Sequence, residues 1–119
     1  IVEDNILNRE IATELLGETG AQIETAENGR IAVDKIQESP NYYYDLILMD
    51  IQMPVMNGYE AARAIRTIDR PDILSLPIIA MSADAFIEDI QMCKESGMNG
   101  HIAKPIDLEK VREVLKKYL

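Results

Sequence analysis

The chain has no tryptophan and only one phenylalanine, one histidine and one cysteine, Cys93. A lone cysteine closes no internal disulfide, so an apolar core has to hold the fold, as suits a reducing compartment. One His with one Cys also falls short of a zinc centre. Nothing in the sequence is low-complexity or linker-like. Basic residues are scarce, 12 against 21 acidic ones, giving a formal net charge of −9. Such a chain repels nucleic acid phosphates, and direct DNA or RNA binding by this domain is not expected. A bound cation or a basic partner is compatible with that charge. No apolar run approaches the length of a membrane span and there is no signal-peptide pattern, so membrane contact by this domain is not expected either.

What is present is a core-forming composition, 47% hydrophobic over 119 residues. That predicts one globular domain spanning 1–119. Leu46, Ile47, Leu48 and Met49 form an unbroken apolar run, too short for a helix, which reads as a strand buried on both faces. Pro77 to Met81 is a second such run. Ile1-Val2 reads as the tail of a first strand whose front is missing, residues 21–26 as a half-covered strand, and His101-Ile102-Ala103 as a brief fifth. Between them lie helical stripes. These are Leu7, Ile11, Ala12, Leu15 and Leu16; then Ala32, Val33 and Ile36; then Gly58, Ala61, Ala62 and Ile65; then Phe86, Ile90 and Cys93; and finally Leu108, Val111 and Leu115. Strand and helix alternate five times, which predicts a parallel sheet with helices on both faces and right-handed crossovers.

Chemistry collects where the strands stop. The first ends at Glu3 and Asp4, the third at Asp50, the fourth at Ser82, the fifth at Lys104. A parallel sheet puts all these ends on one edge, the edge where open α/β sheets bind ligands. Clustered carboxylates repel one another unless a cation sits among them, and magnesium, a hard oxygen-loving ion, fits best. Lys104 supplies a point charge and Ser82 a hydroxyl donor. A carboxylate nucleophile, a metal, a lysine and a hydroxyl are the parts needed to move a phosphoryl group onto Asp50 as an acyl phosphate.

Taken together, Val2-Glu3-Asp4-Asn5, the run Leu46 to Asp50 with Met53-Pro54 and Gly58, Met81-Ser82-Ala83, and Lys104-Pro105 resemble the receiver domain of two-component response regulators, over essentially the whole chain. The run Asp50 to Gly58 and the ending Gly97-Met98-Asn99 with Ile102-Ala103-Lys104-Pro105 resemble receivers of hybrid sensor histidine kinases in particular. The resemblance implies a flavodoxin-like (βα)5 doubly wound parallel sheet, strand order 2-1-3-4-5, in a three-layer sandwich. Asp50 is then the phosphoacceptor, fed from phosphohistidine on a histidine kinase or a histidine phosphotransfer domain. Asp4 and Asp50 bind Mg2+, Glu3 acts through water, and the backbone carbonyl of Gln52 completes the protein ligands. Lys104 holds the phosphoryl group and Ser82 is the switch hydroxyl. Ala83 beside it leaves access open, and Asp84 bears on water access. His101 stands where the family often has a Tyr or Phe switch residue. The implied setting is cytoplasmic, and the resemblance leaves a weak homodimer open.

Three rivals differ at named positions. A haloacid-dehalogenase-like phosphatase carries a second Asp two residues past its nucleophile, and here that residue is Gln52. A flavodoxin needs a hydroxyl-rich phosphate loop after the first strand, where this chain has Glu3-Asp4-Asn5. A receiver that works without phosphorylation has no need of the complete set of Glu3, Asp4, Asp50, Ser82 and Lys104.

Overall fold

The computed structural model describes residues 1–82 and 87–119. Along them run α1 (Ile6–Gly17), α2 (Gly29–Glu38), β1 (Ile47–Asp50), α3 (Gly58–Arg66), β2 (Ile78–Ser82), α4 (Ile87–Glu95), β3 (Gly100–Ala103) and α5 (Leu108–Tyr118). No helix among the described residues is long and apolar enough to cross a membrane.

The apolar runs become strands because both of their faces are covered: every residue of β1 is buried. Alternate side chains feed two separate cores, as the twofold period of a strand requires. Ile47, Met49, Ile78 and Ala80 pack with Ala32, Val33, Ile36, Ala61, Ala62 and Ile65 of α2 and α3. Leu48, Ile79, Met81 and Ile102 pack on the other face with Leu16 of α1 and Val111 of α5. The result is helix, sheet, helix in three layers.

The sheet is parallel, in the order β1-β2-β3. Its register pairs Asp50 with Met81 and Ser82 with Ala103, so Asp50, Ser82 and Lys104 leave the sheet at one edge. The backbone N–H of Lys104 also donates to the Ser82 carbonyl at 2.7 Å. Helix starts are set by short polar caps. Asn5, Asn28 and Asp107 each accept a backbone N–H from the first turn, and Asn57 forms a reciprocal capping box with Glu60. Each cap is worth about 1 kcal/mol.

The five-strand expectation is not met in full. Among the described residues three strands form, and the other two segments are reduced to single parallel bridges, Val2 with Ala26 and Val2 with Met49. Residues 21–26 meet Ile1 to Glu3, whose backbone is hydrogen-bonded to Glu24 and Ala26. Gln22 and Ile23 instead line a groove of about 460 Å³ at the amino end of β1, shared with Tyr44, Leu46 and Leu115.

The stripe expected on α1 is only half used. Ala12 and Leu16 are buried, while Leu7 is 64% and Ile11 45% exposed. The helix starts beyond the carboxyl ends of the strands, so its first turns overhang the sheet, and only the later turns reach the core. Cys93 is buried in the core, as its helical spacing predicted. Phe86, placed on the same helical face, lies outside the described residues.

Two arginines fasten the far end of the molecule. Arg66 of α3 donates to the carbonyls of Gly97 and Ile73 and to the Asn99 side chain, joining α3 to the turns before β2 and β3. Arg70 donates to the carbonyls of Ile36, Ser39 and Pro40 and pairs with buried Asp72 at 2.8 Å, closing the end of α2.

Candidate functional site

At the carboxyl edge of the sheet, Glu3, Asp4 and Asp50 come together, each with a carboxylate oxygen within 4.8 Å of the others. Glu3 and Asp50 are buried and Asp4 is exposed, so the cluster opens to solvent on the Asp4 side. Lys104 reaches into it from the end of β3, just before a cis Lys104–Pro105 peptide. Its Nζ lies 2.9 Å from Glu3 Oε2 and 3.2 Å from Asp50 Oδ1. Residues 101 positions apart are thus hydrogen-bonded, as the reading of strand ends required.

The electrostatics follow from burial and crowding. Burial first, then the charge of Glu3, pushes Asp50 up from 3.8 to about 6, with Lys104 pulling the other way. Burial alone would lower Lys104, but its hydrogen bond to Glu3 and the charges of Asp50 and Glu3 outweigh that and leave it raised. Lys104 is therefore the built-in counter-charge of a pocket with more acid than base. The donor set suits a metal: three carboxylates are hard oxygen ligands of the kind magnesium takes, and one side of the cluster faces water.

The turn from Glu3 to α1 is fixed in detail. The Glu3 carboxylate accepts from the Asn5 N–H and from Asn8 Nδ2, both at 3.4 Å, while its carbonyl accepts from Arg9 Nη1 at 2.9 Å. The loop after Asp50 turns at Val55, which has φ +71° and is 81% exposed, with the Met56 N–H donating back to the Pro54 carbonyl at 2.8 Å. A β-branched residue in that region of backbone space is strained.

Glu3, Asp4, Asp50 and Lys104 are therefore in one pocket. Ser82 is half-buried at the end of β2, in register with Ala103 next to Lys104. Gln52 is exposed two residues past Asp50, on a shallow concavity with Met53, Asn57 and Tyr59. His101 is exposed on β3. Ala83 and Asp84 lie outside the described residues. Tyr42 and Tyr43 of the tyrosine triplet are exposed, and the hydroxyls of Tyr43 and Tyr44 both donate to Glu24, away from the acidic pocket. Sequence reasoning missed Arg9, Asn8 and Val55. A basic residue one helical turn past the cap Asn5 was a usable signal for Arg9, whereas nothing local marks Val55 as strained.

The chain matches the family described as response regulator receiver domain over residues 1–116. It is 39% identical over 121 residues to Hybrid signal transduction histidine kinase L of Dictyostelium discoideum, covering 99% of this chain but only 7% of that protein's length. Its fold is close to the receiver domain of sensor histidine kinase PA1611 from Pseudomonas aeruginosa PAO1, solved with a magnesium ion coordinated in its active site cleft. That match has a TM-score of 0.86 and 33% identity, and covers 98% of this chain and 92% of the other. A further match is a co-crystal structure of the Saccharomyces cerevisiae histidine phosphotransfer protein Ypd1 with the receiver domain of the response regulator Ssk1. There the TM-score is 0.85 and the identity 28%, with 98% of this chain and 84% of the matched chain covered. With the acidic pocket, the lysine and the parallel sheet all in place, this chain belongs to the response regulator receiver domain family, the modules of two-component signalling and phosphorelay.

Proposed function

We propose that this chain, as one receiver domain over 1–119, takes a phosphoryl group from phosphohistidine onto Asp50. The observation that carries the reading is the convergence of Glu3, Asp4, Asp50 and Lys104 on one solvent-open pocket. A carboxylate oxygen of Asp50 attacks phosphorus in line, the N–P bond of the donor breaks, and the imidazole leaves as its nitrogen takes a proton. The product is an acyl phosphate on Asp50. Glu3, Asp4, Asp50 and the carbonyl of Gln52 would hold Mg2+, with Glu3 acting through water. When bound, that ion offsets the charge of the transferring phosphoryl oxygens. Lys104 would move its ammonium from Glu3 to the new phosphoryl oxygens, and Ser82 would offer its hydroxyl to another. The chain thereby catalyses its own phosphorylation and a slow return to the free carboxylate, without being an enzyme on an external substrate.

The donor is a histidine kinase or a histidine phosphotransfer domain. Exposed Ile6, Leu7 and Ile11 on the first turns of α1, next to Asp4, offer an apolar face for a helical partner that brings its phosphohistidine to the pocket. His101, in place of an aromatic switch, is assigned to partner contact on exposed β3. The full sheet order 2-1-3-4-5 is supported by the two bridges of Val2, which put residue 26 and β1 on opposite sides of it. A cytoplasmic setting is part of the same reading.

The test is magnesium-dependent transfer from a small phosphodonor, read by intact mass. One added phosphoryl group is expected on the wild-type chain and none on Asp50→Asn. Full labelling of Asp50→Asn sinks the assignment. Sustained turnover of p-nitrophenyl phosphate would favour the phosphatase alternative, against which Gln52 already stands.

A further inference from the structure

We infer that Arg9, on the second turn of α1, is a positioning residue for the acidic cluster, acting through the backbone of Glu3. The inference rests on the reading of Glu3, Asp4 and Asp50 as a divalent-cation site.

A single peptide joins the two N-terminal acids. Its carbonyl belongs to Glu3 and its N–H to Asp4, and the peptide is planar, so fixing the carbonyl fixes the direction in which the chain enters Asp4. Arg9 Nη1 donates to that carbonyl at 2.9 Å. On the other side of Glu3, its own N–H donates to the Ala26 carbonyl at 3.0 Å. Glu3 is thus pinned before and after its Cα. Its side chain is held too, by Asn5 and Asn8 on Oε1 and by Lys104 on Oε2. Asp4 is exposed, so its place beside Asp50 depends on the backbone that carries it. Arg9 is half-buried along α1, which limits where its guanidinium can go. The guanidinium has planar, directional donors, unlike a lysine ammonium.

Arg9 also carries a positive charge, and that charge acts in the opposite sense. A cation near a cation site repels the incoming ion, so removing Arg9 for charge alone would tighten Mg2+ binding. Removing it as a positioning group loosens the pair Glu3 and Asp4 and weakens binding. The sign of the change separates the two roles.

The experiment is calorimetric titration of the full chain with Mg2+ alone, at fixed temperature and ionic strength. Arg9→Met keeps the apolar stem and drops both donor and charge, and its Kd for Mg2+ is expected to rise about tenfold, the scale seen when a group behind a metal ligand is removed. Arg9→Lys keeps the charge with a less directional donor, and its Kd is expected to fall between the two. Asp72→Asn, a change at the far end of the molecule, should leave Kd unaltered, showing that lost stability does not by itself weaken the ion. An unchanged or tighter Kd in Arg9→Met overturns the positioning role. If that variant does not fold, a Kd in Arg9→Lys equal to or below the wild-type value overturns it. A wild-type chain that binds no Mg2+ overturns instead the reading of the site on which the inference rests.

Discussion

Gly58, the first residue of α3, lies against the backbone of Asp50: a Cβ added there would collide with the Asp50 carbonyl oxygen and stand 2.9 Å from the Ile51 Cα. The Gly58 N–H meanwhile donates to the Ile51 carbonyl at 2.8 Å. The loop after Asp50 therefore closes back on the residue that begins it. Both obstructing atoms are backbone, so they cannot move aside as a side chain tip would. Gly58→Ala is expected to lose about 1–3 kcal/mol and to slow phosphoryl transfer by shifting Asp50. Urea unfolding and the labelling assay together check this. Unchanged stability and rate would mean that the loop opens freely.

Val55 carries strain that a different residue would relieve. Its φ of +71° suits Gly or Asn, and its side chain is 81% exposed, so little packing is lost on replacement. Val55→Asn is expected to stabilise the protein by about 1 kcal/mol, visible as a higher thermal midpoint. A lower midpoint would show that the side chain is held by contacts worth more than the strain.

Lys104 serves as counter-charge to Glu3 and Asp50. Lys104→Met leaves the carboxylates facing one another. Near neutral pH, above the value of about 6 to which Asp50 is raised, the metal-free variant is expected to lose about 2 kcal/mol, less than a fully buried pair because the amine is partly solvated. Mg2+ should recover a larger share of the thermal midpoint in the variant than it adds to the wild type. Equal shifts in both would argue that the ion and the amine do not act on the same carboxylates.

Asp72 gives a pH signature far from the pocket. The hydrogen bond from Arg70 holds its carboxyl down from 3.8 to about 2. A depressed carboxylate contributes stability that is complete above its unfolded value and is lost as pH falls through its folded value. The wild type should thus lose more stability than Asp72→Asn between about pH 4 and pH 2. Thermal midpoints across that range decide it, and parallel curves would remove Asp72 from the account.

Gly97 and Arg66 share one space. Gly97 has φ +93°, and a Cβ there would lie 2.8 Å from the Arg66 Cγ. Gly97→Ala is expected to cost about 1–3 kcal/mol, from backbone strain and from displacing Arg66. The measurement is again urea unfolding, and a neutral result would mean that Arg66 swings aside at no cost.

The sequence by itself determined the layout of the pocket. Short apolar runs bounded by turn residues read as strands, alternation with helices reads as a parallel sheet, and parallel strands end on one edge. That Glu3, Asp4, Asp50 and Lys104 meet, with Ser82 ending the strand between, follows because their positions depend on where each run stops. Only the tertiary structure decided which acid Lys104 approaches more closely, that Leu7 and Ile11 stay exposed, that residues 21–26 form one bridge rather than a strand, and that Arg9, Arg66 and Arg70 tie carbonyls elsewhere in the fold. Periodicity says that a face is apolar but not whether another element reaches it. A long basic side chain can serve any carbonyl or carboxylate within reach, and that choice is made by packing between residues distant in the chain.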